Sequence, residues 1–193
     1  MKICVFGASS SRLDPLYFTE AEKMGRLIAE AGHEIVFGGG ADGLMGACAR
    51  GAAAGHGGII GIAPRLFDEP GFLLRDCSEL ILTETMAERK ERMFALSDAF
   101  LVLPGGIGTM DEFFEAITLR QLGLLRGPVV LLNTRDFYTP LSAYLEMMAD
   151  QGFMSRNCLE LLHLCDTPEE ALEALLTPDT LTGSIRRLED YTR

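Results

Sequence analysis

The chain has 193 residues, 48% hydrophobic and 23% charged, enough to bury the core of one globular domain, and its formal net charge of −11 excludes the basic footprint that a nucleic-acid or membrane-surface partner requires. Its five cysteines are scattered without a C-x-x-C pair, which indicates free thiols rather than a disulfide framework or a zinc site. No apolar run reaches the roughly 20 residues that span a bilayer, and the start lacks the apolar region and cleavage site of a signal peptide, so a cytoplasmic protein is expected.

The first apolar run, Lys2–Phe6, reads as a buried strand and ends in the small-residue loop Gly7-Ala8-Ser9-Ser10-Ser11. Asp14 and Pro15 suit the N-cap and first position of a helix, apolar residues recur from Leu16 to Ala31 at helical spacing, and Gly32 closes it. Glu34–Phe37 is a second strand, followed by Gly38-Gly39-Gly40-Ala41-Asp42-Gly43 and a helix over 44–54 rich in alanine and glycine. A third strand over 58–62 is stopped by Pro64, and residues 65–78 are irregular and form the one stretch expected to move. Glu79–Thr83 is a strand and 85–98 a charged helix, after which Leu101-Val102-Leu103 leads through Pro104-Gly105-Gly106-Ile107-Gly108-Thr109 into a helix reaching about Leu122. Strands over 128–133 and 161–165, a helix over 137–151 and a short helix after Asp166-Thr167-Pro168 complete the order.

Strands alternating with helices throughout imply a single α/β domain over 1–177, a doubly wound, mostly parallel sheet with helices on both faces, and a polar tail over 178–193. Ligands of such sheets bind at the carboxyl ends of the strands, where both glycine clusters fall. Gly38, Gly40 and Gly43 form a G-x-G-x-x-G, but it follows the second strand and has no acidic residue at the spacing of a dinucleotide fingerprint, so it serves equally as tight packing or as a binding loop. No G-x-x-x-x-G-K-[ST] exists, which excludes a P-loop NTPase.

The second cluster is the centre of the chain. Glycines there let the backbone approach a ligand, and the following helix aims its free N–H groups and positive dipole end into the turn, an arrangement that suits phosphate. Asp111, Glu112 and Glu115 lie in the first turns of that helix. Thr109-Met110-Asp111-Glu112 is also a textual capping box, so Glu112 is open to two readings, cap or catalyst, although a cap accounts neither for the three glycines nor for Glu115 on the same face. In the run Glu88-Arg89-Lys90-Glu91-Arg92 a solvated helical face is the plain reading, against the need of an acidic chain to bring cations to a bound phosphate. Neither a metal site nor a Ser-His-Asp triad is supported, and no cofactor is expected. The only lysines are Lys2, Lys23 and Lys90, none a convincing Schiff-base residue for pyridoxal phosphate.

With these residues laid out, the chain resembles the LOG ("Lonely guy") family of cytokinin riboside 5′-monophosphate phosphoribohydrolases, often mislabelled lysine decarboxylases. The resemblance is carried by Val5-Phe6-Gly7-Ala8-Ser9-Ser10, by Gly38 through Gly46, by Met86-Ala87-Glu88-Arg89-Lys90, by P-G-G-x-G-T-x-x-E at 104–112, and by Gln121-Leu122-Gly123 and Gly152-Phe153. The third motif departs from the family's M-H-x-R-K at Ala87. The resemblance implies a Rossmann-like sheet, a homodimer, and hydrolysis of an AMP-type nucleoside monophosphate to free base and ribose 5-phosphate. It further implies catalysis by Glu112 and Arg89 with support from Glu115, and substrate binding by Ser9, Ser10, Gly39, Gly40, Met86, Lys90, Gly105, Gly106, Gly108 and Thr109. A nucleotide carrier that uses the same crevice without turnover is the alternative.

Overall fold

In a computed structural model, which describes residues 1–178, seven strands form one parallel sheet in the order β4-β3-β2-β1-β5-β6-β7. The tail expected over 178–193 lies outside the described residues apart from Pro178. The strands are β1 Lys2–Phe6, β2 Glu34–Phe37, β3 Ile59–Pro64, β4 Glu79–Thr83, β5 Ala99–Val102, β6 Val129–Leu132 and β7 His163–Cys165. The helices are α1 Pro15–Glu30, α2 Gly43–Ala54, α3 Met86–Leu96, α4 Ile107–Gln121, α5 Thr139–Asp150 and α6 Pro168–Leu176. Strand β3 runs on to Pro64, past the end expected from sequence. The β2–β3 ladder stops at Phe37↔Gly61, so the end of β3 has a neighbour on one side only and tolerates a residue without an N–H.

Alternation along the strands gives each face its own core. Ile3, Val5, Ile35, Phe37, Leu101 and Val130 pack under α1, α2 and α6, while Cys4, Phe6, Val36, Phe100, Val102 and Leu131 pack under α3 and α4. The small residues of α2 bring it against α1 at backbone distance: a Cβ on Gly25 would stand 1.9 Å from the Cys48 carbonyl oxygen, and one on Gly51 1.9 Å from that of Glu22.

The direction in which the chain winds across the sheet reverses between β1 and β5. From β1 the chain winds outward through β2, β3 and β4, then returns to lay β5 on the other side of β1 and continues to β6 and β7. The loops after β1 and β5 therefore part at this switch point and open a crevice at the carboxyl end of the sheet. Backbone bonds fix its rim, with Ala8 N–H donating to the Pro104 carbonyl at 3.0 Å and Leu44 N–H to the Ala8 carbonyl at 2.8 Å.

Candidate active site

The crevice holds a cavity of about 490 Å³ whose lining follows strand order. The loop after β5 and the start of α4 contribute Gly106, Ile107, Gly108, Thr109 and Glu112, and the loop after β1 contributes Gly7, Ala8 and Ser9. Gly38, Gly40, Asp42 and Met45 come from the β2–α2 turn, Phe67 and Phe72 from the segment after β3, and Met86 and Arg89 from α3.

Helix α4 starts earlier than a capping box at Thr109 requires. Its N-cap is Gly106, with no side chain bonded to the first turn, so Thr109 stands inside the helix and Glu112 in its second turn. The reading of Glu112 as a cap is thereby overturned: its carboxylate turns inward and accepts from Arg89 Nη1 at 2.7 Å. Gly105 makes room for this start, because a Cβ there would lie 2.1 Å from the Thr109 hydroxyl oxygen. The N–H groups at the head of α4 are left facing the cavity without a capping side chain.

Arg89 comes from α3, whose start is a true cap: Thr85 accepts from the Glu88 N–H at 3.0 Å, and the Glu88 carboxylate accepts from the Glu84 N–H at 2.9 Å. This anchors the helix over the sheet and buries Arg89, which also donates through Nε to the Ile62 carbonyl at 3.2 Å. Arg89 and Glu112 are each 6% exposed. Burial pushes the Glu112 carboxyl above its ordinary pKa, and the adjacent Arg89 guanidinium pulls against that rise. The charged run thus divides, for Arg92 pairs with Glu88 at 3.3 Å on the solvated face while Arg89 turns into the core.

The remaining residues singled out from the sequence separate into two groups. Ser9, Gly40, Met86, Gly106, Gly108 and Thr109 line the cavity with Arg89 and Glu112, whereas Ser10, Gly39, Gly105, Lys90 and Glu115 do not. Lys90 and Glu115 meet each other outside it at 2.5 Å, Lys90 also reaching Asp111 at 2.9 Å, and all three border a separate groove with Ile107, Met110 and Phe114. Gly39, at φ 77°, turns the chain, and Ser10 accepts from the Arg12 N–H at 3.1 Å. Ala87, the departure in the third motif, is exposed and absent from the lining.

Phe67 and Phe72 were not singled out by the sequence reading. Their rings stack at 4.9 Å and 17°, and the irregular segment that carries them is pinned by the bridge Gly40↔Leu73, with Leu73 only 3% exposed. Two phenylalanines in a charged, Pro-Gly-bearing irregular stretch are the signal that could have marked them. Asp42, part of the glycine loop expected at the crevice but not named individually, precedes α2, makes no side-chain cap bond and lines the cavity.

Among the described residues no group of three or more His, Cys, Asp or Glu stands together in a metal-binding arrangement. No lysine lines the cavity: Lys2 opens β1 at the far end of the sheet, and Lys23 pairs with Glu169 at 2.7 Å.

A family model described as possible lysine decarboxylase matches residues 45–175. The chain is 40% identical over 159 residues to the cytokinin riboside 5′-monophosphate phosphoribohydrolase of Rhodococcoides fascians, an alignment covering 82% of this chain and 80% of that one. It is 40% identical over 154 residues to the protein of the same name from Mycobacterium tuberculosis, covering 80% and 82%. The fold is similar to that of the molybdenum cofactor carrier protein from Chlamydomonas reinhardtii, with a TM-score of 0.69 over 90% of this chain and 94% of that one; at 23% identity the likeness concerns the fold alone.

Proposed function

The chain belongs to the Lonely guy family of cytokinin riboside 5′-monophosphate phosphoribohydrolases, and from that premise we propose that it hydrolyses the N-glycosidic bond of adenosine 5′-monophosphate-type nucleotides to free base and ribose 5-phosphate. The observation that carries this reading is the buried Arg89–Glu112 pair in a cavity whose wall includes an uncapped helix N-terminus. A pyridoxal decarboxylase would need a lysine in the cavity, and none lines it.

The 5′-phosphate sits at the head of α4, on the amides of Ile107, Gly108 and Thr109 with the Ser9 hydroxyl beside them. Three strand spacings of about 4.8 Å each separate β5 from β3, a span that takes a nucleotide lengthwise. The ribose then lies over β1 and β2, near Glu112 and the Asp42 carboxylate, and the base reaches the apolar end formed by Phe67, Phe72, Met45 and Met86. As the bond from C1′ to the base nitrogen breaks, its electron pair leaves with the base and positive charge grows on the ribosyl ring. The Glu112 carboxylate stabilises that charge and takes a proton from the attacking water, whose oxygen bonds to C1′; the departing base nitrogen takes a proton from solvent, and Glu112 returns its own to solvent, so that one water is consumed and the carboxylate is regenerated. Arg89 holds Glu112 ionised and in place. Lys90 and Glu115 act in support, tying α3 to α4 beside the cavity.

The same reading extends to a homodimer and a cytoplasmic location. Ile107 is 92% exposed, and with Met110, Phe114 and Leu119 it gives α4 an outer face with apolar surface fit to meet a second copy. Free thiols at Cys4, Cys48, Cys77, Cys158 and Cys165 suit a reducing compartment.

A base-release panel tests the function. Purified protein releases adenine from AMP, or isopentenyladenine from its riboside 5′-monophosphate, and turns over the unphosphorylated nucleosides far more slowly. No base from any purine or pyrimidine monophosphate sinks the hydrolase reading, and equal rates with and without phosphate sink the anchor at α4.

A further inference from the structure

We infer that Gly38 is a positioning residue for Arg89, its missing side chain forming the notch that holds the guanidinium in register with Glu112. A Cβ built on Gly38 would stand 2.2 Å from Arg89 Nη2 and 3.3 Å from Cζ, with Met45 Sδ at 3.4 Å closing the other side. Backbone conformation does not demand glycine here. The neighbouring Gly39 has φ 77° and needs it, whereas Gly38 lies outside the left-handed region, where any residue fits. Room for Arg89 is the need that remains.

The three guanidinium nitrogens have separate tasks. Nε donates to the Ile62 carbonyl, Nη1 to Glu112, and Nη2 passes over Gly38 on the cavity wall that Gly38 and Arg89 both form. Because the group is a rigid planar fork, moving Nη2 away from a new methyl group moves the other two with it. Arg89 is too deeply buried to swing into solvent, so an added Cβ acts on the Glu112 contact. Losing that contact removes the pull that opposes burial at the Glu112 carboxyl.

The test is a double-mutant cycle of Gly38→Ala, Arg89→Ala and the double variant, read by thermal unfolding and by the pH profile of kcat. The kinetic arm rests on the hydrolase reading and the thermal arm does not, so a wild type without base release removes that reading while the melting temperatures still decide the role of Gly38. Gly38→Ala lowers the melting temperature, cuts kcat by up to about 100-fold and moves the acid limb of the profile to higher pH. In the Arg89→Ala background the same substitution has no further effect on any of the three. If Gly38→Ala is too unstable to purify alone, recovery of folded protein in the Arg89→Ala background supports the role equally. An equal loss of melting temperature in both backgrounds overturns it, as does a Gly38→Ala protein with wild-type stability and pH profile.

Discussion

Arg89 Nη1 lies 2.7 Å from Glu112 Oε1, and this ion pair joins two helices that follow different strands of the sheet, α3 after β4 and α4 after β5. With both residues 6% exposed, neither charge is well hydrated. Removing one partner therefore strands the other. Arg89→Ala is predicted to lower unfolding free energy by about 3–5 kcal/mol, measured by guanidinium denaturation. A loss below about 0.5 kcal/mol, the range of an ordinary surface substitution, contradicts the pairing.

The same pair sets a pH dependence. Burial raises the Glu112 pKa, so the carboxylate that the mechanism requires is lost as pH falls through a value above 4.5, the ordinary one for the group. The acid limb of kcat should lie above that value and rise further in Arg89→Ala, where the opposing pull is gone. Stability has the matching sign. A raised folded-state pKa gives a contribution that is complete below the unfolded pKa and lost as pH rises through the folded one. Glu112→Gln should therefore gain stability relative to wild type as pH increases across that window. A fixed acid limb, or a stability difference independent of pH, rules this out.

Gly108 separates fold from ligand binding. It stands in the first turn of α4, borders the cavity, and a Cβ there meets nothing within 4 Å. Gly108→Ala should keep or raise stability, by up to about 1 kcal/mol from helix propensity. It should also raise KM for the monophosphate, because the methyl group crowds the phosphate turn. Thermal unfolding and initial rates on one preparation check both; an unchanged KM removes the phosphate from this turn.

These distinctions show what the sequence made legible and what it did not. The succession of strands and helices along the chain and the two glycine turns were readable, because strand ends and helix starts carry local signals, whereas Arg89 and Glu112 were marked by the family motifs and the order of strands in the sheet was not legible. Helix register was harder. Thr85-Met86-Ala87-Glu88 and Thr109-Met110-Asp111-Glu112 have the same spacing, yet only the first is a cap. The difference lies upstream, where Gly105 and Gly106 let α4 begin before Thr109 and turn Glu112 inward. Glu115 was drawn toward the site by its spacing along a helix and Lys90 by the family's R-K motif, but which face a helix buries is decided by its packing on the sheet. Phe67 and Phe72 belong to a segment without periodicity, fixed by a bridge to Gly40 that no local pattern announces.

The stacked pair yields a prediction of its own. Phe72 is 47% exposed at the cavity, so its loss removes contact with a base more than it disturbs the core. Phe72→Ala should weaken nucleotide binding by about 1–3 kcal/mol, the worth of one aromatic stack, and leave kcat little changed. Calorimetric titration on Glu112→Gln protein, to prevent turnover, gives the affinity directly. Wild-type affinity in the Phe72→Ala background places the base elsewhere.

Whether Glu112 is the group acting at the ribose is tested by measuring free base and ribose 5-phosphate released by wild type and Glu112→Gln from AMP and from isopentenyladenosine 5′-monophosphate. Wild type should release equimolar products, and the variant, which stays folded, should lose about 100- to 10,000-fold in rate. A Glu112→Gln protein that releases base at the wild-type rate would contradict that role.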